Sequence, residues 1–287
     1  ALYYSNKKID EYIANIKRSN LSEHEKKDLS KQSKNHICNK CQCEPESDQE
    51  RKPAHETYTE CLGSIWSDRH QTILTYIINE LTKLLRCKTA KVKWIGYLSS
   101  TGVYGDRQGR WVSETSKVDS LSPQGIARIG AEKSWLKLSH DFNIPLFIFR
   151  IGGIYGPKRN VFDRLRSGIT QKIIKPNSYF NRIHVDDLCG AVCTSLSRPD
   201  LCGIYNVVDN LPTSGAKVID EATKILGIPF LPDVAFSEAK LSDMAKSFYL
   251  ESKRVSNKKL RHSLGYALRF PTYVDGLRSL ANKGQWF

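Results

Sequence analysis

The stretch Val92-Lys93-Trp94-Ile95-Gly96-Tyr97-Leu98-Ser99-Ser100-Thr101-Gly102-Val103-Tyr104-Gly105-Asp106 decides the fold. Residues 92–98 are apolar, β-branched and aromatic, the composition of a short strand buried on both faces. The strand runs out into Ser99-Ser100-Thr101-Gly102, a hydroxyl-rich turn. Just upstream, Ile73, Leu74, Ile77, Ile78, Leu81, Leu84 and Leu85 recur at helical spacing and predict a helix over 70–86. Downstream, a helix is expected over 124–141, with Ile126, Ile129, Trp135, Leu136 and Leu138 inward. A second buried strand follows over 145–150. Helix, strand, helix, strand is the order of a parallel sheet in an α/β fold.

Further out, a helix is expected over 186–196, a strand over 204–208, and a helix over 215–226 stopped by Gly227. Later helices are expected over 236–246, 256–264 and 272–280. Residues 1–60 have another texture. A helix over 7–20 is expected from Ile9, Tyr12, Ile13 and Ile16, while 22–60 is almost wholly polar and reads as a long, partly disordered insertion.

The chain has 287 residues, 40% hydrophobic and 26% charged, enough for one large domain or two small ones. No apolar run is long enough to span a membrane and no signal-peptide pattern opens the sequence, which excludes a helical integral membrane protein. The only methionine is Met244, so Ala1 is not an initiator residue, and a strand, a glycine-rich turn and a helix are expected upstream of it. The net charge of +14 lies entirely after residue 60, because residues 1–60 hold 11 basic and 11 acidic side chains. Such a balance suits nucleic acid, anionic lipid or phosphate-bearing ligands, and equally a basic organelle matrix. Eight cysteines are too few for a disulfide scaffold in this length, so a reducing intracellular compartment is expected, cytosol or an organelle matrix such as the mitochondrial one. Cys38, Cys41 and Cys43, with His36, His55 and Cys61 nearby, carry soft donors for zinc, but no second Cys-x-x-Cys exists; unliganded cysteines are the simpler reading and no metal is assigned.

Three segments then occur in order: Tyr97–Asp106, Arg150-Ile151-Gly152-Gly153-Ile154-Tyr155-Gly156-Pro157, and Arg182-Ile183-His184-Val185-Asp186-Asp187-Leu188. Together they resemble the extended and atypical short-chain dehydrogenase/reductases, the NAD-dependent epimerase/dehydratase superfamily, over about 65–287. The resemblance implies a Rossmann-like doubly wound parallel sheet with a smaller C-terminal α+β substrate lobe. It divides the chain into an atypical 1–60, a Rossmann-like 61–175 and a lobe over 176–287 that is interleaved with the sheet near 204–208. It implies NAD or NADP as cofactor, or a fold that has lost it. Ser100 matches the catalytic Ser/Thr. Ser99, Ser100, Arg128, Arg150, Gly152, Gly153, Ile154 and Tyr155 are implied on the cofactor side, and Thr101, Arg182 and His184 on the substrate side. For Arg150 the open alternative is a strand-end residue, and for His184 a cap on the helix beginning near Asp186.

Two departures bear on catalysis. Taking Glu132 as the family's Glu puts Gln124 in the slot of its Tyr and Arg128 in the slot of its Lys. A phenol beside a cation supplies the proton in hydride chemistry, and Gln cannot. Arg128 retains a fork of donors for a ribose or phosphate, and Tyr104 is the nearest spare phenol. The dinucleotide turn Gly-x-Gly-x-x-Gly is also absent: the first glycine is Gly63, and no two glycines are separated by a single residue. The function expected is an epimerase/dehydratase-like oxidoreductase acting on a small polar or nucleotide-linked substrate. The alternative is a non-catalytic subunit kept for binding or assembly, on RNA or in an organellar complex. A homodimer or larger assembly fits either. The basic runs 158–175 (net +5) and 246–269 (net +6) would line a cleft, bind RNA, or simply face water.

Overall fold

The structure is a computed structural model that describes residues 73–87 and 91–282. Helix α1 covers 73–86. The central sheet holds three parallel strands in the order β1 (Ile95–Ser100), β3 (Leu146–Ile151), β7 (Gly203–Val207). Its register sets Ser100 beside Ile151 and Ile148 beside Ile204. All six residues of β3 are buried, as expected of a strand covered on both faces.

Helix α2 (Pro123–Phe142) crosses from β1 to β3. It starts where Ser122 Oγ accepts the Gly125 N–H and Pro123 takes the first turn, and it stops at Asn143 in a left-handed conformation. Leu138 and Trp135 bury one sheet face with Ile95, Ile144, Leu146 and Ile148. The opposite face packs Phe147, Phe149, Tyr205 and Val207 against α4 (Val185–Ser197) and α7 (Lys258–His262) through Leu188, Ala191 and Leu260. Helices on both faces of a parallel sheet make this a doubly wound α/β fold.

A second core joins α3 (Val161–Arg166), α5 (Gly215–Leu226) and α8 (Tyr273–Asn282) through Phe162, Ile219, Ala222 and Leu277. Three two-stranded parallel pairs border the sheet and this lobe. They are β2 (Trp111–Val112) with β9 (Arg254–Val255), β4 (Gly153–Tyr155) with β6 (Arg182–His184), and β5 (Lys172–Ile174) with β8 (Asp233–Ala235).

The expected strand over 92–98 begins and ends later, because its parallel partner β3 fixes the ladder from Ile95 to Ser100. The helix expected over 236–246 is instead α6 (Asp243–Leu250). Ser242 Oγ starts it by accepting the Ala245 N–H, while 233–235 is drawn into β8. The helix expected over 256–264 is shortened to α7, since β9 claims the residues before it. The expected helix over 7–20, the insertion 22–60 and the cysteines at 38, 41, 43 and 61 lie outside the described residues.

Candidate functional site

The carboxyl ends of β1 and β3 lie side by side, where ligands bind in open α/β sheets. Ser100 caps the short turn Thr101–Tyr104, its Oγ accepting the Gly102 N–H at 3.1 Å, and it stays half-exposed. Ser99 points the other way, as strand alternation requires, and donates from Oγ to Glu132 Oε1 at 2.6 Å in the interior. Thr101 is buried, its Oγ1 donating to the Ile151 carbonyl at 3.4 Å.

Glu132 and Arg150 form a buried ion pair, with Nη2 to Oε2 at 2.7 Å and both side chains 4% exposed. Burial works against the Arg150 charge, but the Glu132 carboxylate more than offsets it and holds the guanidinium protonated. Arg150 Nη1 also donates to the Tyr104 hydroxyl at 3.0 Å, which in turn donates to Asn206 Oδ1 at 2.7 Å. Tyr104 is wholly buried, and burial raises the pKa of its phenol despite Arg150. The sequence offers Tyr104 only as the nearest spare phenol, and the family resemblance implies Ser99 and Arg150 on the cofactor side. The structure corrects this, since all three are saturated within one interior network that ties β1, α2, β3 and β7 together.

On α2, Gln124 is exposed and Arg128 half-buried. Arg128 Nη1 donates to the Leu98 carbonyl at 3.1 Å, two residues before Ser100, and the guanidinium also hydrogen-bonds the Tyr97 phenol. Burial raises the Tyr97 pKa, with Arg128 opposing.

Beyond β3 the chain turns sharply. A Cβ on Gly152 would come within 2.8 Å of the Asn181 carbonyl oxygen, so only glycine fits, and the Gly153 N–H donates to that oxygen at 2.8 Å. The turn opens into a cleft of about 480 Å³ whose walls include Gly153, Ile154 and the Tyr155 ring from β4 and Tyr273 from α8. Four cations line it, Lys158, Arg159, Arg164 and Arg182, against one carboxylate, Asp163. Arg182 Nη1 donates to the Phe180 and Thr213 carbonyls at 3.0 and 3.1 Å. His184 does not line this cleft. It caps α4, its Nδ1 accepting the Asp186 N–H at 3.1 Å, and is 2% exposed. The capping alternative is the one the structure shows.

The basic run 246–269 is largely used internally. Lys253 is buried on Glu251 Oε2 and the Gly105 carbonyl, at 2.6 and 2.8 Å. Arg254 stacks between Trp111 and Tyr179, Lys259 lies over the Tyr205 ring, and Arg261 bonds Asn257. Cys189 and Cys193 are exposed on α4 and Cys202 is exposed before β7, so none of the three serves as a core hydrophobe. Among the described residues no cluster of three His, Cys, Asp or Glu could hold a metal.

Residues 63–207 match the family described as the NAD dependent epimerase/dehydratase family. The chain belongs to that family. YtcB of Bacillus subtilis, described as an uncharacterized UDP-glucose epimerase, is 28% identical over 153 residues, covering 50% of this chain and 48% of its own length. A dTDP-D-glucose 4,6-dehydratase of Dictyostelium discoideum is 24% identical over 50% of this chain and 36% of its own. The match thus spans half or less of both relatives. Among solved structures, a functionally unknown conserved protein from Silicibacter pomeroyi DSS is 40% identical, with a TM-score of 0.66 and 72% of each chain covered. Human epimerase family protein SDR39U1 with NADPH shares the fold at 16% identity and a TM-score of 0.60, over 80% of this chain and 77% of that one.

The epimerase/dehydratase match accounts for β1, the Arg150–Pro157 turn and β6. Sequence reasoning missed Asn206, which closes the Tyr104 network, and the separate parts of Lys158, Arg159 and Arg164. The local signal for these cations was the basic run 158–175. Asn206 gave no signal, because its partners are distant in sequence.

Proposed function

We propose that the protein is an NAD(P)-binding oxidoreductase of the epimerase/dehydratase type whose substrate is nucleotide-linked or otherwise anionic. The observation that carries this reading is the cleft at the exit of β3 and β4, lined by four cations and one carboxylate. Such a lining in a low-dielectric recess attracts a diphosphate or carboxylate. The family match and the neighbours solved with NAD or NADPH support the cofactor.

The described residues fit that cofactor at one end only. Half-exposed Ser100 and the exposed Gly153 N-terminal to Ile154 leave an open margin at the sheet's carboxyl edge, suited to the nicotinamide end. No two glycines in the chain are separated by a single residue, so the Gly-x-Gly turn that would cradle the pyrophosphate is not among the described residues. When bound, the cofactor supplies hydride transfer. Ser100 Oγ then holds a substrate oxygen, Arg182 anchors the anionic group, and Arg128 braces the edge of β1. No phenol occupies the slot of Gln124, so proton transfer falls to solvent.

Calorimetry with NAD, NADPH and UDP-glucose tests the reading. Measurable binding of a cofactor and of UDP-glucose is expected. Hydride transfer is expected to be slow, since loss of a general acid costs about 10²–10⁴-fold. Ser100→Ala should lower any residual rate more than it lowers affinity. Absence of all binding would favour the second reading, a non-catalytic binding or assembly subunit, which the sealed Tyr104 and exposed Gln124 already support.

A further inference from the structure

A second recess, of about 340 Å³, shares no lining residue with the cleft. It lies between Asn210, on the loop after β7, the end of α7 at Arg261 and His262, and the stretch 265–268 with Pro271. The Asn210 N–H ties two of these walls together by donating to the Pro271 carbonyl at 2.8 Å. The stretch 266–270 is held by Asp187 of α4, whose carboxylate accepts the Tyr266 hydroxyl and the N–H groups of Arg269 and Phe270.

Asn257, only 5% exposed, sets the direction of the polar side. Its Oδ1 accepts the Arg261 Nε–H at 3.1 Å. Its Nδ2 donates to the Val208 carbonyl at 2.8 Å and to Asn210 Oδ1 at 2.9 Å. An arginine can only donate and a backbone carbonyl only accept, so this amide has one orientation. Asn210 therefore turns its oxygen to Asn257 and keeps its NH2 group unused, while Arg261 turns in its Nε and keeps both Nη groups. These donors have no partner among the described residues. The backbone N–H groups of Gly265, Ala267 and Leu268 likewise find no acceptor among them. No acidic side chain lines the recess among the described residues, and Tyr266, Leu268 and Pro271 give it an apolar side. Donors oriented by a buried polar residue, with no carboxylate competing for them, make a site for an oxyanion.

We propose that this recess binds an organic phosphate or carboxylate, with its oxyanion on Arg261 and Asn210 and its apolar body against Tyr266, Leu268 and Pro271. The Arg261 fork meets two oxygens of such a group at once. Asn257 touches no ligand and acts by positioning both donors.

The side-chain N–H signals of Arg261 and Asn210, followed by ¹H–¹⁵N NMR in the full chain, report on the recess directly. Arg261→Lys and Asn210→Asp identify them by their loss. Both side chains are exposed, and the buried Asn257 is left in place. Phenyl phosphate is the first probe and benzoate the second. Each should move both signals along one saturable curve, phenyl phosphate the more tightly because it carries more charge. Arg261→Ala, read on the Asn210 signal, should weaken phenyl phosphate by roughly tenfold or more, as loss of a hydrogen bond to a charged group does. Asn210→Asp, read on Arg261, should also weaken it, because a carboxylate then faces the anion. Lys258→Ala removes a cation from the same helix outside the recess, and should change affinity by no more than about twofold, the scale of an exposed charge. Inorganic phosphate should bind more weakly than phenyl phosphate, and equal or tighter binding would overturn the part given to the apolar side. If neither organic probe moves the two signals, the inference fails. It fails too if the signals drift without saturating, or if the Lys258 and Arg261 variants lose affinity equally, since both mark diffuse attraction of charge.

Discussion

Glu132 and Arg150 show why a charged pair can sit in this interior. Each carboxylate oxygen meets a guanidinium N–H, Ser99 adds a donor to Oε1, and Tyr104 takes the remaining face of the arginine. Removing one partner strands the other's charge. Glu132→Ala should therefore cost about 3–5 kcal/mol in urea unfolding, and replacing both residues by apolar ones of similar volume should cost less. Asp209 gives the opposite case, an acid held protonated. Its pKa rises on folding, from an ordinary 3.8 to about 7, so its stabilising contribution is full below ~4 and is lost as pH climbs to ~7. Asp209→Asn should thus gain stability relative to the unaltered protein as pH is raised from ~4 to ~7, by on the order of 4 kcal/mol at ~1.4 kcal/mol per unit. Parallel unfolding curves at the two pH values would contradict this.

At the scale of elements, the ends of the helices fix where the site residues stand. Ser122 starts α2, and with it sets the height of Arg128 and Glu132 against β1 and β3. Ser122→Ala should cost about 1 kcal/mol and lower the thermal midpoint. Helix α5 stops at Gly227, whose φ of 65° suits glycine, and its N–H closes on the Lys224 carbonyl. Gly227→Ala should cost about 1–2 kcal/mol by the left-handed penalty. The six strands of two or three residues gave no periodic signal, since two or three residues cannot display a period of two. By contrast α2, α4 and α5 were legible to within a residue or two, because each begins at a capping residue and α4 and α5 present an apolar face. In α2, Ile126 and Leu136, expected inward, are instead exposed, and Ala131, Glu132 and Leu138 are buried.

Over the whole molecule, the excess of positive charge is divided. The 246–269 run is drawn into contacts that join β9 and α7 to the sheet, while the 158–175 run supplies the cleft with Lys158, Arg159 and Arg164. Affinity of UDP-glucose should accordingly fall as ionic strength rises, since partly exposed cations are screened within about 8–10 Å at physiological salt. Lys158→Ala should flatten that salt dependence more than Lys258→Ala, a change in the other run outside the cleft.

The sequence by itself determined the α/β class, the parallel order of its long elements and the membership carried by Tyr97–Asp106, Arg150–Pro157 and Arg182–Leu188. These are local or near-local properties, written in periodicity and in side-chain chemistry at fixed spacing. Only the tertiary structure decided which of those side chains face a ligand. Ser99 and Ser100 are neighbours, yet one is bonded inside to Glu132 and the other stands at the open edge. Tyr104 met Asn206 across 102 residues, and Asp209 met Arg182 only when β6 and β7 were brought to one end of the fold. Burial and the company a polar atom keeps arise from distant segments, so no window of sequence contains them.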